Sequence, residues 1–320
     1  MSKFRNPIFL VLLTLLFVEV LIVFPHQVEK QPAQNEDSEE TAPQAAGPAE
    51  QKAEGVHLVE SQGSSRDWEL FAKEAEGDQA QNWRMKDVRV LFYSDDKIEF
   101  TVTGQEGSID VKSRDMQIRG NVQTVSTNGY RFFTQDVKYD AKTRRIVSPT
   151  KVKMNGPADK DGPGIQVEGQ RMMADVGQSR MQISSNIVAQ KPLAGGKSLR
   201  LSAESAEFSG KSKQAEFKGK VVMKYGETTI EGPEAKFFSS AAGDLLSNIQ
   251  IEGGVKVTDA NKFATSEALN LDIPSSRFVF TGQPKVYQDQ DELAGERIIF
   301  LDGGKKVKVE SVRAKVKESP

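Results

Sequence analysis

Apolar and polar residues alternate with a period of two through most of the chain after residue 67. In residues 249–257, for example, the sequence Ile-Gln-Ile-Glu-Gly-Gly-Val-Lys-Val places apolar side chains on one face and polar ones on the other. This alternation is typical of half-buried antiparallel strands. Asn128-Gly129, Asp161-Gly162 and Asp302-Gly303 lie between such runs and predict hairpin turns. The pattern therefore predicts an all-β protein.

The alternation is organised in a repeat. Each copy begins with an apolar pair at spacing two and continues, after roughly ten residues, with apolar-x-apolar-x-Gly-x-Val, as in 116–122 and 215–221. Successive copies start 28 to 35 residues apart, a period of about 32 that is typical of stacked arrays, in which each unit buries its apolar face on its neighbours. Glycine inside a strand predicts a bulge, a bend or a close approach. The leading residues of the eight copies are Ala75, Ile109, Val137, Met172, Ala206, Ala235, Ala268 and Ile298.

One segment carries two conflicting patterns. Trp68, Phe71, Ala72 and Ala75 lie at the spacing of an amphipathic helix. The same segment, 68–75, superimposes on Leu-Arg-Leu-Ser-Ala-Glu-Ser-Ala (199–206) of a later copy. Because the later copy leads into a strand-like run, we predict that 68–75 is a strand.

The array divides in two at Lys-Pro-Leu-Ala-Gly-Gly-Lys (191–197), a turn-like interruption with four copies on each side. The predicted folded domains are therefore 68–190 and 197–312, followed by a short tail at 313–320.

The N-terminal residues predict a membrane anchor, 1–25. Ile8 to Phe24 is an apolar stretch broken by Thr14 and Glu19 and preceded by Lys3 and Arg5. At about 1.5 Å per residue it would cover roughly 25 Å, the short end of a membrane-spanning helix. A cleaved signal peptide is the alternative, but the residues after Phe24 offer no small-x-small cleavage site. The two preceding cations place the N-terminus in the cytoplasm and the remaining chain on the far side of the membrane.

The segment between the anchor and the first repeat predicts a disordered acidic linker, 26–67. From 25 to 82 the chain carries thirteen acidic residues and four basic ones. Residues 26–62 contain very few large apolar side chains, so folding could bury too little surface to offset the loss of conformational entropy.

The composition argues against an enzyme. There is no cysteine, and both histidines, His26 and His57, lie outside the repeats. The predicted folded part therefore lacks a thiolate and the commonest general base and metal ligand. No glycine-rich phosphate loop, serine-hydrolase elbow or dinucleotide fingerprint is present, so we expect no catalytic residues, no metal site and no cofactor. The cations are spread along the predicted outer faces without clustered aromatics, which argues against nucleic acid.

Two groups of segments carry a family resemblance. Residues 68–75, 83–93, 120–122 and 128–140, placed after one N-terminal anchor, resemble the membrane-anchored lipopolysaccharide-export family LptC. The second half resembles the periplasmic bridge family LptA of the same OstA-like superfamily, through segments 203–208, 217–221, 232–237 and 251–257. The resemblance covers nearly all of 68–312. It departs from the families in fusing two proteins that are usually separate chains.

The resemblance implies tandem open V-shaped β-jellyrolls that hold acyl chains of lipopolysaccharide in an apolar groove. Its implied partners are lipopolysaccharide, an inner-membrane ABC transporter complex, another OstA-like β-jellyroll stacked edge to edge, and the membrane itself through residues 7–24. The implied location is the inner membrane, single-pass, with the bulk in the periplasm. The implied groove residues are Phe92, Phe100, Ile118, Val122, Tyr139 and Met154 in the first half, and Phe208, Phe217, Val221, Met223, Phe237, Ile251, Val255, Phe280 and Phe300 in the second.

One alternative from another functional class stays open. The same repeats suit a structural or adhesive β-solenoid with a dry core, which would act as an envelope scaffold without transporting lipid. The two hypotheses differ in whether the interior accepts a ligand.

Overall fold

The structure is a computed structural model. It describes residues 51–77, 82–159, 162–209, 211–212, 214–240, 246–260, 262–289, 291–301 and 306–315. The predicted membrane anchor and most of the acidic linker lie outside these residues. Within the described ranges, no helix is both long enough and apolar enough to span a membrane. All of the described residues belong to a single compact unit.

The described part of the chain is almost entirely β, which confirms the predicted fold class. The only helical element described there is a short 3-10 turn at Ala194–Gly196. The strands are β1 (Gln51–Gln62), β2 (Ser65–Gly77), β3 (Asn82–Ser94), β4 (Lys97–Asp110), β5 (Met116–Ser126), β6 (Arg131–Asp140), β7 (Arg145–Ser148), β8 (Val152–Asn155), β9 (Gln166–Gly169), β10 (Arg171–Asp175), β11 (Arg180–Pro192), β12 (Ser198–Ser209), β13 (Gln214–Tyr225), β14 (Thr228–Ser239), β15 (Leu246–Asp259), β16 (Lys262–Asp272), β17 (Arg277–Thr281), β18 (Lys285–Gln288), β19 (Asp291–Ala294), β20 (Arg297–Leu301), β21 (Lys306–Glu310) and β22 (Arg313–Lys315).

All pairings between these strands are antiparallel, and each long strand pairs with the next along the chain. The register between β12 and β13 runs from Leu199↔Tyr225 to Ser202↔Val222, shifts, and resumes at Ser205↔Lys218. Similar shifts interrupt the ladders of β4 with β5, β5 with β6, β13 with β14, and β15 with β16. Each long strand therefore contributes its two halves to two separate ladders.

These two ladders form the two layers of the fold. Layer A contains the short strands β7, β10, β17, β20 and β21, together with the half of each long strand that pairs in the same ladder. Layer B contains the short strands β8, β9, β18, β19 and β22, together with the other half of each long strand. The layers face one another, since the rings of Phe92 in layer B and Tyr139 in layer A have centroids 4.6 Å apart. Tyr225 and Phe278 make a similar contact across the layers, at 6.1 Å.

The bends that join the layers coincide with the glycines of the repeat. Gly120 and Asn121 both have positive φ, and Gly219 and Lys220 repeat this pair in β13. Two successive left-handed residues turn the strand from one layer into the other, and glycine adopts this conformation at no steric cost. The predicted bend is confirmed. A close approach also occurs, because a Cβ on Gly104 would lie 2.4 Å from the Ile118 side chain.

Each sequence repeat corresponds to two strands. The leading residue of every copy lies in layer A on alternate members of the ladder, for example Ala206 in β12, Ala235 in β14 and Ala268 in β16. The apolar-x-apolar-x-Gly-x-Val element occupies the strand that follows, as in β13 and β15. The predicted strand at 68–75 is also confirmed, since it lies within β2. Among the predicted turns, Asn128-Gly129 connects β5 to β6, whereas Asp161 and residues 302–303 lie outside the described residues.

The prediction of a disordered linker is wrong for residues 51–62, which form β1. Only Val56 of this strand packs against the core, so its sequence lacks the burial pattern that predicts a strand. Its structure comes instead from backbone pairing with β2, from Gln51↔Gly77 to Gln62↔Ser65. His57 is consequently part of the folded unit and stacks on Phe71 with ring centroids 4.3 Å apart. The predicted tail is likewise wrong for residues 313–315, which form β22.

The two halves of the chain join by strand pairing that continues in both layers. β11 pairs with β12 from Arg180↔Ser209 to Pro192↔Ser198. The turn-like interruption is therefore shorter than 191–197, and its tip is closed by a hydrogen bond from the Leu193 amide to the Lys197 carbonyl oxygen, 2.9 Å. The two halves therefore share both layers and one interior.

Candidate functional site

The fifteen predicted groove residues all lie in the interior between the two layers. Each is buried, the most exposed being Phe300 at 8%. All belong to one continuous apolar cluster that extends through both halves of the chain. The structure therefore brings these side chains together, while their contact with a lipid stays a prediction.

In the first half, aromatic side chains from both layers meet. Phe92 and Phe100 are cross-strand partners in layer B. Tyr139 reaches them from layer A through its 4.6 Å ring contact with Phe92. On the same ladders, Ile118 pairs with Val137 in layer A and Met154 pairs with Phe132 in layer B. The interior is apolar on both walls.

In the second half, phenylalanines form a row along layer A. Phe217 contacts Phe208 and Phe237, with ring centroids 6.1 and 4.9 Å apart. Further along the same layer, the rings of Phe280 and Phe300 are 5.6 Å apart. Edge-to-face contacts of this kind stabilise an aromatic row beyond the burial of its area.

One ring contact joins the interiors of the two halves. Tyr130 lies in the β5–β6 turn of the first half, and its ring centroid is 5.7 Å from that of Phe208 in the second. Phe208 is also the cross-strand partner of Met181 in the first half. A chain of apolar contacts therefore continues past the junction, which the sequence had left open.

The interior is filled by its own side chains. A small apolar cavity of about 40 Å³ lies against Phe263, Phe280 and Phe300, near the C-terminal end of the ladder. Sequence reasoning left out several fully buried residues that line the same interior, although their alternation would have identified them. They include Leu70, Phe132, Ile146, Met172, Ile183 and Leu199.

Side chains connect the two layers on the side opposite the bends, where hairpin turns of both layers meet; we call this side the mouth. In the second half, the Tyr225 hydroxyl lies 3.0 Å from Ser276 Oγ, and Lys197 Nζ donates to the same oxygen at 3.2 Å. In the first half, Arg144 Nη2 donates to the Tyr93 carbonyl oxygen at 2.5 Å. The layers are therefore held together along the mouth by a few polar contacts.

A polar cavity of about 300 Å³ opens at the mouth of the first half. Its lining includes Arg114, Lys142 and Arg144 from layer A turns, and Trp68 and Tyr139 from the buried interior. Burial raises the pKa of the Tyr139 phenol to about 12, and the nearby Arg144 opposes this rise. Sequence reasoning did not find this cavity, because the turns that form it are far apart in the chain.

Among the described residues, no group of carboxylate and histidine side chains is arranged to bind a metal ion. Asp96, in the β3–β4 turn, accepts a hydrogen bond from the Arg66 amide at 3.1 Å. A wider depression of about 570 Å³ near the first strands is lined by charged side chains that pair with one another, such as Lys86 and Glu74 at 2.9 Å.

Comparison with known proteins agrees with this architecture. A family model described as lipopolysaccharide assembly, LptC-related, matches residues 11–191, more than half of the chain. A second, described as the LptA and LptD N-terminal lipopolysaccharide transport protein, matches residues 200–303. The gap between the two matches, residues 192–199, contains the β11–β12 turn.

No curated protein matches the chain. A crystal structure of LptH from Pseudomonas aeruginosa, described as the LptA homologous periplasmic component of the lipopolysaccharide transport device, is similar over 38% of this chain and 95% of that one. Its sequence identity is 18% and its TM-score is 0.34, too low to bear on the fold. The match over residues 11–191 establishes that the chain belongs to the LptC-related lipopolysaccharide-assembly family, with an LptA-like half fused behind it.

Proposed function

We propose that this protein is a periplasmic bridge component of lipopolysaccharide transport, which binds acyl chains between its layers and passes the lipid to the next jellyroll. The observation that supports this best is the combination of tandem LptC-related and LptA-like matches with strand pairing that continues across the junction in both layers. Because the interiors of both halves are joined through Tyr130 and Phe208, a lipid could move along the chain without leaving an apolar environment.

Acyl chains would enter by separating the two layers at the mouth. Burial of an acyl chain against the apolar lining supplies the favourable free energy of binding, since each buried methylene of the lipid contributes about 0.8 kcal/mol. The contacts to be released include the Tyr225–Ser276 and Arg144–Tyr93 hydrogen bonds. A hydrogen bond contributes about 1 kcal/mol net, so a single acyl chain of ordinary length could offset the release of several.

The two ends of the ladder suit different partners. Within the described residues, β1 pairs with β2 alone and β21 pairs with β20 alone. Such an edge presents unpaired backbone groups, to which a strand of another jellyroll can add. We assign the β1 end to the inner-membrane ABC transporter complex, because β1 follows the predicted anchor, and the β21–β22 end to the next OstA-like jellyroll. Energy for transport would come from the transporter, since the sequence contains no nucleotide-binding loop.

The fusion replaces one docking step. In separate chains, an LptC-like and an LptA-like jellyroll would have to find one another in solution, whereas here a five-residue turn, 193–197, holds the two pairing strands together. The effective concentration of β12 next to β11 is therefore very high. The first handover along the bridge would occur within this chain.

Lipid that is retained during purification tests the proposal. The full chain should be extracted from its native membrane in mild detergent, and the bound lipid identified by mass spectrometry. We expect lipopolysaccharide to be enriched over phospholipid relative to the whole membrane. Recovery of the protein without lipid, or with phospholipid in membrane proportions, would contradict lipopolysaccharide transport.

The filled interior favours one alternative, a structural or adhesive envelope scaffold with a dry core. All fifteen predicted groove residues are buried by other protein side chains, and the apolar cavity near Phe280 holds only about 40 Å³. A scaffold would keep the two layers closed, so the same purification would yield no bound lipid.

A further inference from the structure

The polar cavity at the mouth of the first half combines features that fit a phosphorylated headgroup. Three cations line it: Arg114 from the β4–β5 turn, and Lys142 and Arg144 from the β6–β7 turn. Two acids from layer B, Glu60 and Asp67, line the opposite side. The cavity therefore lies between the two layers, at the place where a lipid entering the interior would leave its headgroup.

The cations and acids form two ion pairs that cross the mouth. Arg114 Nε lies 3.4 Å from Glu60 Oε2, and Arg144 Nη2 lies 3.3 Å from Asp67 Oδ1. The Arg114–Glu60 pair is largely solvated, with side-chain exposures of 46% and 35%. Solvated ion pairs contribute little to stability, so a doubly charged phosphate could displace Glu60 at little cost.

Arg144 has a hydrogen-bonding capacity that the protein does not use. Its Nη2 contacts the Asp67 carboxylate and the Tyr93 carbonyl oxygen, while its Nε is buried and meets no acceptor among the described residues. A guanidinium group presents its donors in a fork that matches the oxygens of a phosphate. Arg144 is therefore suited to accept a further anionic partner.

The cavity also continues into the apolar interior. Trp68 and Tyr139 line it, and both are buried among the core residues. The Tyr139 ring contacts Phe92, which is one of the predicted groove residues. Cations next to buried apolar side chains fit an amphiphile better than a free anion, because an amphiphile can contact both groups at once.

We propose that Arg114, Lys142 and Arg144 form a subsite for the phosphate groups of the transported lipid, in which phosphate replaces Glu60 and Asp67 and thereby releases the mouth. This inference rests on the proposed function and adds to it a recognition site outside the acyl groove. Headgroup binding and opening of the layers are then coupled through Arg144, since its guanidinium binds Asp67 and the Tyr93 carbonyl oxygen of the opposite layer in the absence of lipid.

Three ligands presented to the full chain test the subsite. Bisphosphorylated lipid A, the same lipid with both phosphates removed, and inorganic phosphate are compared for displacement of a fluorescent fatty acid from the protein. We expect the phosphorylated lipid to bind at least about tenfold more tightly than the dephosphorylated one, from one or two added charge-assisted hydrogen bonds. Inorganic phosphate alone should displace nothing.

Substitutions of different cavity residues should change the affinity for the phosphorylated lipid in opposite directions, which a purely structural role would not produce. Arg114→Ala should weaken binding of the phosphorylated lipid by about tenfold and leave the dephosphorylated lipid unchanged. Glu60→Gln should strengthen binding of the phosphorylated lipid, because it removes the competing carboxylate. Arg119→Ala is the matched control, since its pair with Asp136 has a similar length, 3.3 Å, outside this cavity. Arg144→Lys keeps the positive charge and removes the forked guanidinium donors. This variant tests the role of Arg144 while a cation remains in the cavity.

The outcomes separate this inference from the proposed function. If both lipids bind equally and Arg114→Ala changes neither, the subsite is wrong while lipid transport stands. If neither lipid displaces the probe from the unmodified chain, the proposed function fails together with the subsite. If inorganic phosphate binds at this cavity as tightly as the lipid does, measured by calorimetry, the site serves a free anion and the headgroup assignment is overturned.

Discussion

Lys191 Nζ lies 2.7 Å from Asp159 Oδ2, and both side chains are almost completely buried, with exposures of 5% and 11%. Lys191 occupies an inward position of β11, next to the turn that joins the two halves. The ammonium meets the carboxylate without a hydrogen bond of normal geometry. A charged pair is thus enclosed at the junction of two largely apolar interiors.

Breaking this pair should destabilise the protein. Asp159→Asn leaves the Lys191 ammonium buried without a compensating charge, and we expect it to lower the free energy of unfolding by about 3 kcal/mol. Denaturant unfolding of the folded unit measures this change. Glu168→Gln is the control, because its ion pair with Lys151 has a similar length, 2.9 Å, but is exposed, and its loss should cost less than about 1 kcal/mol. Equal effects of the two substitutions would show that burial of the Lys191 pair has no energetic consequence.

The bends depend on glycine at specific positions. Gly219 has φ of +81°, and a Cβ there would lie 2.7 Å from the Cβ of Glu204, which cannot move away as the carboxylate could. Gly226 also has positive φ, +61°, but its Cβ would meet nothing within 4 Å. We expect Gly226→Ala to cost about 1 kcal/mol, from the backbone conformation alone, and Gly219→Ala to cost roughly 2–3 kcal/mol, since a steric conflict is added. Thermal unfolding of both variants tests this order, which would be reversed or absent if the bend tolerated a side chain.

Because the Tyr139 phenol is buried, we expect the folded protein to lose stability in alkali. Burial raises its pKa from about 10 in the unfolded chain to about 12 in the folded one. The folded state therefore keeps this proton while the unfolded state releases it, so the contribution to stability is complete below about pH 10 and is lost as pH rises toward 12. Absorbance at 295 nm should show a tyrosine that ionises near pH 12 and is missing from Tyr139→Phe. A component near pH 10 that disappears in the variant would contradict burial of Tyr139.

Alternation of apolar residues predicted much of this fold. It placed β2 as a strand against a competing helical pattern, because a later repeat set the phase. It also identified interior positions, such as Ile251 and Val255, since side chains on a strand alternate between the two faces. The glycines of the repeat also marked bends, as the positive φ of Gly120 and Gly219 shows.

The remaining features depend on contacts that sequence does not display. β1 was missed because an edge strand held by backbone pairing needs few apolar side chains. The Arg114–Glu60 and Arg144–Asp67 pairs join turns far apart in the chain. Lys191 was interpreted as part of a polar turn, although its buried partner, Asp159, lies in a different loop.

The central claim, that lipid occupies the interior between the layers, is tested most directly by site-specific photo-crosslinking in cells. Phe217 is fully buried in the phenylalanine row, whereas Lys218, the next residue, points outward with 52% of its side chain exposed. A photoreactive amino acid at 217 should capture lipopolysaccharide, and the same residue at 218 should not. Lipopolysaccharide captured at 218 and never at 217 or 118 would contradict the account.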